Sequence, residues 1–280
     1  MIFGCKNDTE KSDAFGNFEA ETIIVSSESA GKILQLNVEK GQKFEIGSVA
    51  GLIDTIQIQL KLQQIDAQKA AINSRKQSIQ SQVDVFEEQI KNLQTNETRI
   101  SKMIKDGAAT QKQLDDIQGQ INVIKKQIAS TKTQFTAVGK EMEVLNSQKL
   151  SLEDQLQRCF IKLPATGTIL ETYVEQGELT APGKPLFKMA SLDELTLKVY
   201  VSGAQLPNVK IGEIVEVLVD KSEKENQILS GKINWISSEA EFTPKIIQTK
   251  EERVKLVYAV KIAVKNDGTL KIGMPGEVVF

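Results

Sequence analysis

The chain of 280 residues contains no histidine. That absence removes the commonest general base and the commonest metal ligand together. Its two cysteines, Cys5 and Cys159, lie far apart, and neither belongs to a Cys-x-x-Cys pair, so zinc and dithiol chemistry have no framework. Aromatic residues make up only 5% of the chain, which speaks against a broad globular core. No stretch reaches the roughly 20 apolar residues that would span a bilayer as a helix. Neither charge dominates: 35 Lys and Arg stand against 37 Asp and Glu, for a net charge of −2. Nucleic acid is therefore not an expected partner. No catalytic, cofactor-binding or metal constellation is expected. What is present is a middle third rich in Gln, Lys, Glu, Ile and Leu, the mixture of a long solvated helix rather than a broad core.

That middle third keeps a seven-residue beat. Ile58, Ile65, Ile72, Ile79, Phe86, Leu93 and Ile100 occupy one position through seven heptads. Leu62, Val83, Ile90 and Ile104 hold the companion position, interrupted by Lys69, Lys76 and Glu97. Such a narrow seam with polar faces around it predicts a coiled coil. The beat stops at Lys105 to Thr110, where Gly107 can take positive φ past a helix end and Thr110 can cap a new helix. A second run follows, with Leu114, Ile121, Ile128, Phe135 and Met142 at one position and Ile117, Ile124, Val138, Leu145 and Leu152 at the other; Thr131 is its weak member. Two runs of near-equal length around a tight turn predict an antiparallel hairpin. About fifty residues per arm give a rod roughly 75 Å long. The alternative is a generic dimerising coiled coil, but two arms of one chain already cover each other's seam.

The segments flanking the rod repeat at an offset of 136. Gly31, Ile33, Leu34, Val38, Glu39, Gly41 and Gly47 recur as Gly167, Ile169, Leu170, Val174, Glu175, Gly177 and Gly183. Each copy has alternating apolar positions punctuated by glycine turns, and buries too little alone; two copies face to face predict a flattened β-sandwich. The pattern resembles the biotinyl/lipoyl carrier fold. The lysine turn that takes the cofactor in those carriers is absent, and the whole coiled coil stands in its place. Cys159, at the end of the second helix, is expected to be a small buried thiol.

From residue 192 onward short strands are expected: Leu195–Val201, Glu213–Val219, Gly231–Ile236, Val254–Val264 and Glu277–Phe280, with a short capped helix near Ser202–Leu206. Several short strands and one small helix predict a small β-barrel. Trp235 and Phe242 are expected to be packing residues of that barrel. The overall expectation is an α+β chain: a tether over 1–17, a first lipoyl-like half over 18–53, the helical hairpin over 54–158, the second half over 159–191 and the β-barrel over 192–280.

At the start of the chain, Gly4-Cys5 is similar to the end of a bacterial lipoprotein signal, although Phe3 fits it poorly and no apolar region precedes it. Cys5 is the lipid-attachment candidate, with the polar Lys6–Asn17 run as a tether.

A lipoyl half, a helical hairpin, a second lipoyl half and a barrel together resemble the HlyD-type membrane fusion proteins, or periplasmic adaptor subunits, from about Phe18 to Phe280. Pro164-Ala165-Thr166-Gly167-Thr168-Ile169, Gly177-Glu178 and Pro182-Gly183-Lys184-Pro185-Leu186-Phe187 carry most of the resemblance. Glu241-Phe242-Thr243-Pro244-Lys245, with Thr249, Arg253 and Gly273-Met274-Pro275, is similar to the subgroup that works with ABC-type exporters. The resemblance implies a periplasmic, non-enzymatic adaptor at the inner membrane of a Gram-negative-type bacterium. It would assemble as a homo-oligomer, a hexamer in the family, and link an inner-membrane transporter to a TolC-like outer-membrane channel. In such adaptors the hairpin tip docks the channel through an arginine, an aliphatic residue four positions on and a serine seven beyond that. Arg99, Met103 and Thr110 stand at those spacings around Gly107, with Met for the usual Leu and Thr for the usual Ser. Without the resemblance, Arg99 is an ordinary solvated charge and Thr110 only a cap. RND-type adaptors continue past the barrel into a membrane-proximal domain, whereas this sequence stops at Phe280, which favours an ABC-type partner or a reduced membrane end. A glutamine gate that one ABC-linked branch carries is not matched in Ala181-Pro182-Gly183-Lys184. A periplasmic tether with no transport role is the remaining alternative.

Overall fold

A computed structural model describes residues 12–222, 225–242 and 256–280. In chain order the elements are β1 (Ala14–Glu19), β2 (Thr22–Ser26), β3 (Gly31–Leu36), β4 (Lys43–Phe44), β5 (Val49–Ile53), α1 (Ile56–Lys105), α2 (Gln111–Arg158), β6 (Phe160–Lys162), β7 (Gly167–Thr172), β8 (Leu179–Thr180) and β9 (Pro185–Ala190). They continue with β10 (Glu194–Ser202), β11 (Ile214–Ser222), β12 (Glu225–Ile236), β13 (Glu241–Phe242), β14 (Leu256–Lys265) and β15 (Pro275–Val279). The described residues divide into two compact units, one built from those up to 52 and from 161 onward and the other from 53–160.

In the first unit the sequence repeat becomes a structural one. Strands β3, β4 and β5 recur as β7, β8 and β9, and β2 recurs as β6, all at the offset of 136. The strands interleave into two four-stranded sheets, β2-β9-β7-β4 and β6-β5-β3-β8, each containing strands of both copies. Backbone bonds between the copies are exchanged in pairs: Gly41 N–H reaches Ile169 O at 2.8 Å, and Gly177 N–H reaches Ile33 O at 2.8 Å. Likewise Leu163 N–H donates to Ser48 O and Ser27 N–H to Lys184 O. Gly41 and Gly177, at φ 87° and 94°, make the same left-handed turn in each copy, a conformation that strains a residue bearing Cβ. Ile33 and Ile169, Val38 and Val174, and Ala50 and Leu186 are buried counterparts. Neither copy has a sheet of its own, so neither has a core without the other.

The rest of this unit is a closed antiparallel barrel in the order β10-β1-β15-β11-β12-β14, with β14 returning to β10 and β13 pairing beside β12 on the edge of β14. β10 alternates inward Leu195, Leu197, Val199 and Val201 with outward polar residues, the period of a half-buried strand. Phe18, Val217, Ile233, Val260, Ile262 and Val278 complete the interior. The short capped helix expected near Ser202 is a 3₁₀ turn over Leu206–Asn208, and the Ser202 amide and hydroxyl both donate to Gln205 Oε1.

Two expectations are corrected here. Residues Ala14–Asn17, read as part of a tether, lie in a barrel strand: β1 pairs with β10 on one side and β15 on the other. Only Ala14 and Phe18 of AFGNFE point inward, so the strand carries little apolar signal. Trp235, read as a packing residue, is 41% exposed. A register shift between Ile233 and Trp235 moves it off the inward phase that Ile233 occupies. It lies instead beneath Lys261, whose Nζ is 5.3 Å from the ring centroid. The Phe242 side chain, Cys5 and residues Thr243, Pro244, Lys245, Thr249 and Arg253 lie outside what is described.

The second unit is the helical hairpin, with α1 of 50 residues and α2 of 48. At about 1.5 Å per residue each arm is roughly 70–75 Å long. Every heptad position expected on the seam is shielded, whereas nearly all others are exposed. Val83 and Val138 are 2% and 1% exposed, and Ile65, Ile79 and Ile121 are buried with them. The polar interruptions are accommodated. Lys76 Nζ sits 4.8 Å from the centroid of the Phe135 ring, Glu97 accepts from Gln118 Nε2 at 2.9 Å, and the buried Thr131 hydroxyl donates to Gln127 O at 3.0 Å. Ion pairs Asp66–Lys149, Arg75–Glu141 and Glu87–Lys132 bridge the arms in one antiparallel register. Cys159, at the end of α2, is buried, and its thiol donates to Gln155 O at 3.4 Å.

Candidate functional site

The hairpin turn is fixed by backbone chemistry at both of its ends. α1 closes with Asp106 as C-cap and Gly107 at φ 72°. The Ala108 amide donates to Met103 O at 2.8 Å and the Gly107 amide to Ile104 O at 3.0 Å. These are the two bonds of a Schellman motif, which satisfies carbonyls a helix end otherwise leaves open. Lys102 and Lys105 lie in the last turn, where the helix dipole favours cations. α2 opens at Thr110, in an extended conformation, through a capping box with Gln113. The amide and hydroxyl of Thr110 donate to Gln113 Oε1 at 2.9 Å and 3.2 Å.

On this turn the residues picked out by spacing have distinct placements. Ile100 and Ile104 are half-buried on the seam, so α1 turns its other sides to solvent. Arg99 and Met103, four residues apart and therefore neighbours on one side of the helix, are both exposed. Met103 is 37% exposed, an unbranched thioether standing free while its own carbonyl closes the turn. Gly107 is the left-handed pivot, and Thr110 is exposed and already engaged by Gln113. No hydrogen bond joins Thr110 to Arg99 or Met103, so the structure gathers these side chains around one turn without binding them to one another. Lys102, Lys105 and Lys112 lie among them in the chain and are exposed; spacing alone does not pick them out, although the density of lysines between 99 and 112 is visible in the sequence.

Elsewhere among the described residues, a cleft of about 680 Å³ lies on the outer face of the barrel, beside Glu194, Ile214, Lys232, Asn234 and Lys265, with charged groups of mixed sign. Among the described residues no helix is long and apolar enough to cross a membrane.

Comparison with known proteins bears on the whole arrangement. Residues 191–280 match the LcnD-like C-terminal domain family. MacA from Actinobacillus actinomycetemcomitans superposes with a TM-score of 0.64 at 22% identity, over 95% of this chain and 76% of that one. The periplasmic adaptor protein EmrA superposes with a TM-score of 0.53 at 14% identity, over 95% of this chain and 97% of that one. The fold is thus that of the membrane fusion proteins, or periplasmic adaptors. In sequence the chain is 25% identical over 291 residues to a UPF0194 membrane protein of Yersinia enterocolitica, covering 95% of this chain and 88% of the relative. A shorter stretch of 126 residues is 32% identical to the UPF0194 membrane protein YbhG of Salmonella gallinarum, covering 45% of this chain and 38% of that one.

Proposed function

We propose that the chain is a periplasmic adaptor of a Gram-negative-type envelope, and that it links an inner-membrane exporter to a TolC-like outer-membrane channel in efflux or secretion. The observation that carries this reading is the combination of a split, pseudo-symmetric lipoyl-like sandwich with a long hairpin occupying the place of the carrier's lysine turn. A turn that needs only a few residues to join the two copies holds about a hundred, far more than the fold of a small domain requires. A rod of this length is a reach device, and its exposed end is where a partner is met.

In this reading the hairpin tip meets the channel. Arg99 donates hydrogen bonds to carbonyl or carboxylate oxygens, Met103 fills an apolar notch and Gly107 and Thr110 hold the turn in shape. A single tip is a small contact and binds weakly. A ring of copies, six by the family resemblance, gains avidity when all tips engage together. The exporter partner is of the ABC type, supported by the resemblance of Glu241-Phe242 and Gly273-Met274-Pro275 to that subgroup. Cys5 is the point of lipid attachment to the inner membrane. The chain does no chemistry of its own; it couples the exporter's conformational cycle to a sealed route.

In-cell photo-crosslinking from a photoreactive residue at position 103, with mass spectrometry of what is captured, tests this. Capture of an outer-membrane channel is expected. A folded, correctly exported protein that captures none reduces the chain to a periplasmic tether, with Arg99 and Thr110 as ordinary helix-turn residues.

A further inference from the structure

Along the rod, ion pairs hold about half of the charged side chains, and Lys61, Lys69, Lys76, Lys125 and Lys126 are in none of those pairs. Ion pairs of its helices include Asp66–Lys149, Arg75–Glu141, Glu87–Lys132, Glu88–Lys91, Lys140–Glu143 and Asp154–Arg158. None involves a residue between 99 and 112. That stretch carries the cations Arg99, Lys102, Lys105 and Lys112 against the single carboxylate Asp106, in a chain whose net charge is −2. All four cations are exposed, and none makes an ion pair with a described residue.

The position of Lys112 sharpens the point. It is the second residue of α2, where the helix dipole and the free amides favour an acid, and the first turn of α2 contains none. Asp115 and Asp116 stand three and four positions on, at the spacing of neighbours on one helix face, yet neither forms an ion pair with Lys112, and Asp115 accepts from Gln111 Nε2 at 2.8 Å. Lys102 and Lys105 are explained locally by the end of α1; Lys112 is not. A local rule broken at the exposed end of a rod, in the direction that adds to one charge, marks a functional demand.

We infer that the hairpin tip is a cationic knob made by Lys102, Lys105 and Lys112 around Arg99, and that it seats in a carboxylate-lined rim of a protein partner. This rests on the docking reading above and specifies the chemistry of the surface docked. The three lysines are specificity residues: like-charged rims repel them, and acidic rims draw the tip in from a Debye length away. A protein rim fits better than a lipid surface. Residues 99–112 include no aromatic residue, and their Ile100 and Ile104 are spent on the seam, which leaves Met103 alone for insertion among headgroups.

The test uses the full chain with the photoreactive residue at position 103 and a triple substitution, Lys102→Gln, Lys105→Gln and Lys112→Gln. These side chains are exposed, and an unchanged helical signal in circular dichroism verifies the fold. Capture of the outer-membrane channel is expected to fall about tenfold or more, as loss of electrostatic steering predicts. The matching triple Lys→Arg set retains capture. A Gln triple that captures as well as the parent overturns the cationic knob while leaving the adaptor reading intact. A parent chain that captures no channel removes the docking reading itself, and this inference with it. Flotation with vesicles about a third anionic in phosphatidylglycerol distinguishes the remaining source of negative charge. Binding by the parent and not by the Gln triple assigns the lysines to a membrane surface and overturns the protein rim.

Discussion

Lys149 of α2 meets Asp66 of α1 across the hairpin, Nζ to Oδ1, at 2.7 Å. Lys149 occupies a seam position and is more shielded than its partner. The hydrogen bond from Lys149 holds the Asp66 carboxyl below its ordinary value of 3.8, and the same bond raises Lys149 above 10.5. The two shifts act at opposite ends of the pH range. The depressed acid contributes stability above 3.8 and loses it as pH falls through its lower folded value. The raised base contributes below 10.5 and loses it as pH rises through its higher folded value. Thermal melts of the helical signal are therefore expected to show a shallower acid decline in Asp66→Asn than in the parent. Identical acid slopes would remove this pair from the account of the rod's stability.

Two glycines of the hairpin have opposite expected responses to alanine. A Cβ at Gly139, inside α2, meets no atom within 4 Å, so Gly139→Ala is expected to stabilise the rod by about 1 kcal/mol. Gly107 also has open space, but its φ of 72° strains an L side chain. Gly107→Ala is expected to cost about 1 kcal/mol and to lower channel capture by deforming the turn. Urea melts decide the first effect, and crosslinking from position 103 the second.

Stability and the proposed docking are expected to separate along the rod. Val138→Ala leaves a void at a position 1% exposed and is expected to destabilise by about 2 kcal/mol. Met103→Ala is expected to change stability by less than about 0.5 kcal/mol, as surface substitutions do, while reducing export in cells. A Met103→Ala chain that melts early and exports normally reverses both assignments.

The paired copies of the sandwich predict paired costs. Ile33 and Ile169 are 0% and 1% exposed and occupy equivalent places. Ile33→Ala and Ile169→Ala are each expected to destabilise by about 3 kcal/mol and to agree within about 1 kcal/mol. A large disparity in denaturant melts would mean that one copy carries the sandwich and the other only decorates it.

What the sequence made legible follows the strength of its periods. Seven heptads name the seam residue by residue, because one phase error would expose the whole row from Ile58 to Ile100. The offset of 136 is legible because the turns at Gly41 and Gly177 tolerate little but glycine. The barrel was harder to read. β1 points only Ala14 and Phe18 inward, too few for a period, and its strand character comes from β10 and β15, more than 170 residues away in sequence. Trp235 was misplaced because a single bulge at Asn234 resets the alternation, and no composition signal marks it. The tip residues were reached by spacing and resemblance alone, since exposed side chains leave no trace in a packing pattern.

The pairing of β1 with β15 also fixes an order of events. Ala14 lies opposite Val278, so the first of the described strands is closed in by the last of them. The hairpin needs only contacts between neighbouring arms and can zip from its turn while synthesis or export continues. The barrel has no such option. β1 must wait, unpaired on one side, until almost the whole chain has been delivered, and loop closure over that separation is slow. Assembly of this protein is therefore expected to pass through a state with a finished rod and an unfinished barrel, whose open strand edges are the part of the molecule that a chaperone or protease meets first.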